Sequence, residues 1–333
     1  MKMSKIFVSS ILPGIAVELL KEAGFSVTSW NEDRPMSQEE LIEKAKEHHA
    51  LICTGGDEID ATFLNECSHL EIISQYAVGY DNIDVSAATR HGIPIGNTPG
   101  AMSDATADIA FGLMIATSRK MVYLHKTILN GEWRYFRPKA NLGIELKNKT
   151  LGIFGLGRIG LEMAKRCKGA FDMKILYHNR RPNPIAEKQF GAKLVDFDYL
   201  IQHSDVLSVH CSLNEETREI FNKAAFNRMK PTAIFINTSR GLVHNELDLI
   251  EALQSGSIWG AGLDVTNPEP MASDNPLLSM ENVTVLPHIG SGTVEARDEM
   301  ARLAARNIIE FYKNKSVPNI VNPEALLLNP SRK

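Results

Sequence analysis

The chain has 333 residues, enough for two ordinary domains, of which 44% are hydrophobic and 23% charged. That balance describes a soluble globular protein and excludes a disordered one. The formal net charge of −4 supplies no global basic field for nucleic acid or an anionic membrane, so any small anion must be met by local charge.

The first segment, "MKMSKIFVSSILPG", reads as a strand running into a turn and not as a targeting leader, because no long apolar run precedes Pro13 and Gly14. No later stretch approaches the ~18 apolar residues of a membrane span. Strands follow at "FSVTSW", "ALICTGG", "EIISQYA" and "IPIGNT". Helical patterns lie between them, such as "SQEELIEKAKEHH", where Ser37 and Glu40 have capping-box spacing. "DATADIAFGLMIATSRKMVYLHKTILNGEW" then reads as one long helical pattern with few breakers, either bridging two domains or covering a second subunit. From Lys149 the alternation restarts, with strands at "TLGIFGLG", "KILYHN", "AKLVDF", "DVLSVHCS", "TAIFINTS", "WGAGLDV" and "NVTVLP" and a final helix at "TVEARDEMARLAARNIIEFYKN". Strand–helix alternation of this kind predicts α/β architecture, with two doubly wound parallel sheets. Cys53, Cys67, Cys167 and Cys211 lack the close spacing of a zinc or redox motif. Their apolar neighbours point to reduced core thiols and a cytoplasmic protein.

In "TLGIFGLGRIGLEMAKR", Gly155, Gly157 and Gly160 form G-x-G-x-x-G after a strand and before a helix. This is the pattern that brings a helix N-terminus up to a dinucleotide pyrophosphate, with Leu156, Arg158 and Ile159 filling the turn. An NAD-specific site usually adds an acidic residue ~20 positions further on, to hold the ribose hydroxyls. This chain instead has "ILYHNRRPNP", with no acid between Lys174 and Asn183. Asn179 offers hydrogen bonds there, and Arg180 and Arg181 offer charge-assisted donors to a phosphate, which predicts NADP in preference to NAD.

Three later strand ends carry chemistry. "AIFINTSRG" delivers Asn237, Thr238, Ser239 and Arg240, and an arginine there can clamp a carboxylate with two parallel bonds. "GLDVTNPEP" places Glu269 between two prolines, and "LPHIGSG" places His288, a group able to give a proton near neutral pH. A nearby carboxylate would fix its tautomer. In the first half, "SQYAVGYDNID" ends a strand at Val78 and Gly79, where bare backbone N–H groups can face a small anion.

"AVGYDNID", "GIFGLGRIG", "INTSRG", "AGLDVTNPEP" and "LPHIGS" stand in one order over nearly the whole chain. In this the sequence resembles the D-isomer-specific 2-hydroxyacid dehydrogenases, most closely their glyoxylate and hydroxypyruvate reductase branch. The resemblance implies a flavodoxin-like substrate-binding domain at 1–100 and 290–333 and a Rossmann dinucleotide-binding domain at 101–289, with a cleft between them and a homodimer. It implies that His288 is the general acid, Glu269 its partner, and Arg240 the group that holds the substrate carboxylate, with Val78 and Gly79. It places Thr106, Thr217, Thr238, Asp264 and Gly290 at cofactor-contact positions. Ala77 and Ser212 depart from the family's frequent glycine and proline, which leaves the backbone role of the first intact. The chemistry implied needs no metal, nucleic acid or membrane. The substrate is a small 2-oxo acid, glyoxylate or hydroxypyruvate, with another such as 2-ketogluconate as an alternative. A rival reading is a dinucleotide-sensing corepressor-like binding protein.

Overall fold

The computed structural model describes residues 4–328. The chain divides into two compact units, one formed by residues 1–102 with 292–333 and the other by 103–291.

In the first unit, β1 (Lys5–Val8), β2 (Ser26–Ser29), β3 (Ala50–Cys53), β4 (Ile72–Gln75) and β5 (Ile95–Gly96) form one parallel sheet in the order β2-β1-β3-β4-β5. That is a flavodoxin-like order. Alternate side chains leave the sheet on opposite faces, so Phe7, Leu51 and Ile73 join one apolar cluster and Ile6, Val8, Ile52 and Ile72 the other. Both faces are covered, which is why these strands read as nearly unbroken apolar runs. The second cluster is completed by the late helix Val294–Asn314, whose Met300, Ala301, Ala304, Ile308 and Phe311 are buried there. That helix is stitched to the sheet by Ser74 Oγ, which donates to the Ala304 carbonyl at 3.0 Å, and by Asn307 Nδ2, which donates to the Asn97 carbonyl at 3.0 Å. The predicted capping box at Ser37 and Glu40 is formed, and it opens the helix Gln38–Lys46.

The second unit holds β6 (Thr150–Phe154), β7 (Lys174–His178), β8 (Lys193–Leu194), β9 (Val206–Val209), β10 (Ile234–Asn237), β11 (Gly260–Leu263) and β12 (Val283–Val285). They pair in parallel throughout, in the order β12-β11-β10-β9-β6-β7-β8. This is the doubly wound Rossmann order with one further strand at the β12 edge. The strand order reverses between β6 and β9. Since every strand runs the same way, all seven carboxyl ends share one edge of the sheet, and the open position for a ligand is above that reversal.

One element differs from its sequence pattern. The stretch expected as one long helix is two, Ser103–Ser118 and Met121–Leu129, separated by Lys120 in the left-handed region at φ 54°. No proline or glycine marks the break. The Ser118 carbonyl instead accepts the Ile144 N–H at 2.8 Å, and Gly143 packs so closely that an added Cβ would lie 2.3 Å from that same carbonyl oxygen. A contact from a distant loop ends the helix, so local propensity does not reveal it.

Candidate active site

The three motif glycines do three different jobs. Gly155, at φ 91°, turns the chain off β6, and a Cβ there would lie 2.6 Å from the Cys211 nitrogen just past β9. Gly160 packs the following helix on its own strand, since a Cβ would come within 2.9 Å of the Gly155 oxygen. Gly157 precedes the helix Arg158–Phe171 and has open space where a side chain would be, with no side-chain cap on the helix. The first N–H groups of that helix, from Arg158, Ile159 and Gly160, have no carbonyl one turn back to bond. A tight turn, an open face and unspent donors at a helix N-terminus fit a dinucleotide pyrophosphate.

The loop after β7 is bound to this turn. Asn179 Oδ1 accepts the Leu156 N–H at 2.6 Å, and its Nδ2 donates to the Leu156 carbonyl at 3.1 Å. Asn183 Nδ2 donates to the same carbonyl at 3.2 Å while its Oδ1 caps the helix Pro184–Phe190. Asn179 therefore shapes the glycine turn directly, and Asn183 shares that task. Sequence reading missed the second, whose only signal was an asparagine before a proline at a helix start. His178 stacks on Phe154 with 5.5 Å between ring centroids and bonds the Val195 carbonyl. Between the two pinned asparagines, Arg180 and Arg181 are exposed, and neither makes an ion pair or hydrogen bond among the described residues.

At the end of β10, Thr238 and Ser239 are buried and Arg240 is half-buried. The Thr238 hydroxyl meets His210 Nδ1 at 3.3 Å, and His210 Nε2 meets Ser208 Oγ at 2.8 Å. Burial pushes the His210 imidazole down to about 4, which keeps it neutral at physiological pH. Arg240 leads into a short turn in which Gly241 is required, because a Cβ there would lie 1.9 Å from the Thr266 carbonyl oxygen.

That close approach brings the Arg240 turn against the segment after β11. Asp264 is buried, and its two oxygens accept the Ile289 N–H at 2.8 Å and the Gly290 N–H at 2.7 Å. Burial raises its pKa, with these two bonds opposing the shift. Thr106 Oγ1 donates to the Gly290 carbonyl at 3.0 Å. These bonds grip the chain immediately after His288, which sits in the left-handed region at φ 52°, a conformation costing a side-chain-bearing residue about 1–2 kcal/mol. So held, His288 Nδ1 meets Glu269 Oε2 at 3.0 Å, and Glu269 Oε1 accepts the Thr266 N–H at 3.0 Å. Burial pushes the Glu269 carboxyl up, but the His288 bond, the Thr266 N–H and the charges of His288 and Arg240 outweigh it, and its pKa is lowered. The result is a carboxylate beside an exposed imidazole whose Nδ1 it engages, leaving Nε2 outside that bond.

Thr217, also named from the sequence, spends its hydroxyl locally, donating to the Ser212 carbonyl at 2.8 Å and accepting the Asn214 N–H at 2.9 Å. Val78 and Gly79 belong to the first unit. Their carbonyls accept from Asn97 Nδ2 and Gln75 Nε2, while their N–H groups bond nothing among the described residues.

Comparison with known proteins agrees with this geometry. Residues 111–290 match the D-isomer specific 2-hydroxyacid dehydrogenase NAD binding domain. The chain is 43% identical over 330 residues to a glyoxylate reductase of Thermococcus litoralis, covering 98% of this chain and 99% of that one. It is 43% identical over 326 residues to the glyoxylate reductase of Pyrococcus furiosus, covering 97% and 96%. Among solved structures, a glyoxylate reductase from Paecilomyes thermophila superposes with a TM-score of 0.86 at 33% identity, covering all of both chains. An NADPH-dependent glyoxylate/hydroxypyruvate reductase from Sinorhizobium meliloti, in complex with NADP and malonate, gives 0.84 at 29% identity, covering 97% of this chain and 98% of that one. The chain belongs to the D-isomer specific 2-hydroxyacid dehydrogenases, and it is an NAD(P)-dependent oxidoreductase.

Proposed function

We propose that this protein reduces small 2-oxo acids to 2-hydroxy acids, with glyoxylate and hydroxypyruvate the leading substrates and NADPH preferred to NADH. The observation that carries the reaction is the Glu269–His288 pair beside Arg240, at the edge where the glycine turn offers its helix N-terminus. Bound there, the nicotinamide dinucleotide supplies the hydride. Gly155, Leu156, Gly157, Arg158, Ile159 and Gly160 would hold its pyrophosphate, and Asn179 contributes by shaping that turn. Thr106, Thr217, Thr238, Asp264 and Gly290 would line its path or shape the loops that do so.

The substrate carboxylate is taken by the Arg240 guanidinium. A planar, permanently charged fork suits that task and also polarises the adjacent carbonyl. His288, protonated, gives a proton from Nε2 to the carbonyl oxygen as its carbon accepts hydride. Glu269 holds the ring in the orientation that points Nε2 outward. The product leaves as the 2-hydroxy acid, and the imidazole regains its proton from solvent.

The preference for NADPH rests on Arg180 and Arg181, exposed and without partners among the described residues, in a stretch with no acid from Lys174 to Asn183 to repel a phosphate. A homodimer is favoured by the segment after residue 120. The helix Met121–Leu129 buries none of its residues, and Leu129, Trp133, Tyr135 and Phe136 are each more than 70% exposed in the single chain. The four unpaired cysteines favour the cytoplasm. The test is steady-state turnover of a panel of 2-oxo acids with each cofactor. Reduction of glyoxylate or hydroxypyruvate, faster with NADPH, is the expected result, and no turnover of any 2-oxo acid would refute the assignment.

A further inference from the structure

The side chain of Asn237, the last residue of β10, is fully buried and fully bonded. An amide has two hydrogens to give and one oxygen that can accept twice. Oδ1 accepts the Ser239 N–H at 2.9 Å and the Ser239 hydroxyl at 3.0 Å. Nδ2 donates to the Arg240 carbonyl at 2.9 Å and meets His244 Nδ1 at 3.0 Å. The Ser239 N–H can only donate, so the orientation of the amide is fixed. It follows that His244 accepts through Nδ1 and carries its proton on Nε2.

These bonds bracket one residue. Asn237 holds the N–H two positions past itself and the carbonyl three positions past itself, so the backbone on both sides of Arg240 is tied to a single rigid group. The guanidinium cannot swing with its loop, because the loop has been fastened to the strand end. His244 pays a cost in its own bonding to take part: Nε2 is buried and has no partner among the described residues. A leucine would fill the same space beside Phe235 without that orphan, so packing alone does not explain a histidine there.

We propose that Asn237 is a positioning residue for Arg240, with His244 as the acceptor that holds the Asn237 amide in place. Asn237 touches neither substrate nor cofactor in this scheme. It acts through the direction in which Arg240 points, and so rests on the reading of Arg240 as the carboxylate clamp.

The test is a double-mutant cycle on the full-length enzyme with glyoxylate, reading kcat/KM and, separately, the dissociation constant of the dinucleotide. Asn237→Asp keeps both acceptors and loses both donors. It should lower kcat/KM by about 30-fold or more while changing dinucleotide binding by less than about 3-fold. If it acts through Arg240, the double variant Asn237→Asp/Arg240→Lys should be within about 3-fold of Arg240→Lys alone. Losses that multiply would overturn the proposal, as would an Asn237→Asp enzyme of normal efficiency. Arg240→Lys by itself judges the clamp, since an unchanged kcat/KM in that single variant refutes the clamp whatever Asn237 does. Should Asn237→Asp not fold, the acceptor is tested instead. Asn places an oxygen where His244 has Nδ1, so His244→Asn should retain more activity than His244→Leu although Leu packs better; equal activity, or the reverse order, overturns the proposal.

Discussion

Replacing Arg180 and Arg181 together by alanine tests the cofactor preference directly. The loop carrying them is tied to the glycine turn by Asn179 and Asn183, so both arginines are carried on a loop fastened to the turn proposed to hold the dinucleotide's pyrophosphate. Neither must break an existing bond among the described residues to reach a ligand. A hydrogen bond to a charged group contributes roughly 1.5–3 kcal/mol, and exposure to solvent holds such a bond to the low end of that range or below it. Two arginines then supply about 2–3 kcal/mol toward a 2′-phosphate, and at 1.4 kcal/mol per factor of ten this is roughly 30-fold to 150-fold. NADH has no such phosphate. The double variant should therefore lose about 30-fold or more in kcat/KM for NADPH and change by less than about 3-fold for NADH, with the NADPH loss shrinking as salt is added. Initial-rate measurements with each cofactor at saturating glyoxylate decide the matter. Equal losses for both cofactors would show that the arginines serve the pyrophosphate or the fold, and an unmodified enzyme indifferent to the cofactor would remove the preference itself.

His288→Ala should cut turnover by about 100-fold or more while leaving dinucleotide binding nearly intact, and a variant with near-normal turnover would end its role as acid. Glu269→Gln keeps the size of the side chain but not its charge, so reduction should slow by about 10-fold; a rate equal to the parent's would disconnect Glu269 from His288. Burial pushes the His244 imidazole from its ordinary 6.5 down to about 4, so as pH falls through that window the unfolded chain takes a proton that the folded chain refuses. Stability present above pH 6.5 is thereby lost toward pH 4, by about 3 kcal/mol at most, and His244→Leu should lose correspondingly less in urea denaturation at pH 7.5 and 4.5; parallel losses in both proteins would contradict this. Trp133→Ala should weaken self-association in sedimentation, and unchanged self-association would remove the exposed segment after residue 120 as the interface.

The fold is legible in this sequence because parallel strands covered on both faces must be apolar along their whole length. "ALIC" and "IFIN" cannot be amphipathic, since every residue in them is buried, and the twelve strand segments expected from the sequence all form. Helix ends are legible where the cap is local, as with Ser37 and Glu40. The break at Lys120 is not, because what ends that helix is the Ile144 N–H taking the Ser118 carbonyl from 26 positions away, and no pattern within the helix encodes it.

The same distinction between local and distant causes divides the site. A glycine motif is visible since each glycine answers a steric demand that no other residue meets, and His288 and Glu269 are visible as titratable groups at strand ends. Asparagines are not visible in that way. Asn179 reads from sequence as a hydrogen-bonding partner for the cofactor and Asn183 and Asn237 draw no role of their own, and only the assembled structure shows that the first two grip one peptide at Leu156 while the third spans the backbone around Arg240. An amide acts through four directed bonds to groups brought together by folding, and directed bonds of that kind leave no periodicity in the chain. A charged group announces the chemistry it can do, while an amide's contribution depends wholly on what it touches. For that reason Arg240, His288 and Glu269 can be proposed from sequence, and the amide bonds that tie down the backbone around Arg240 and the glycine turn cannot.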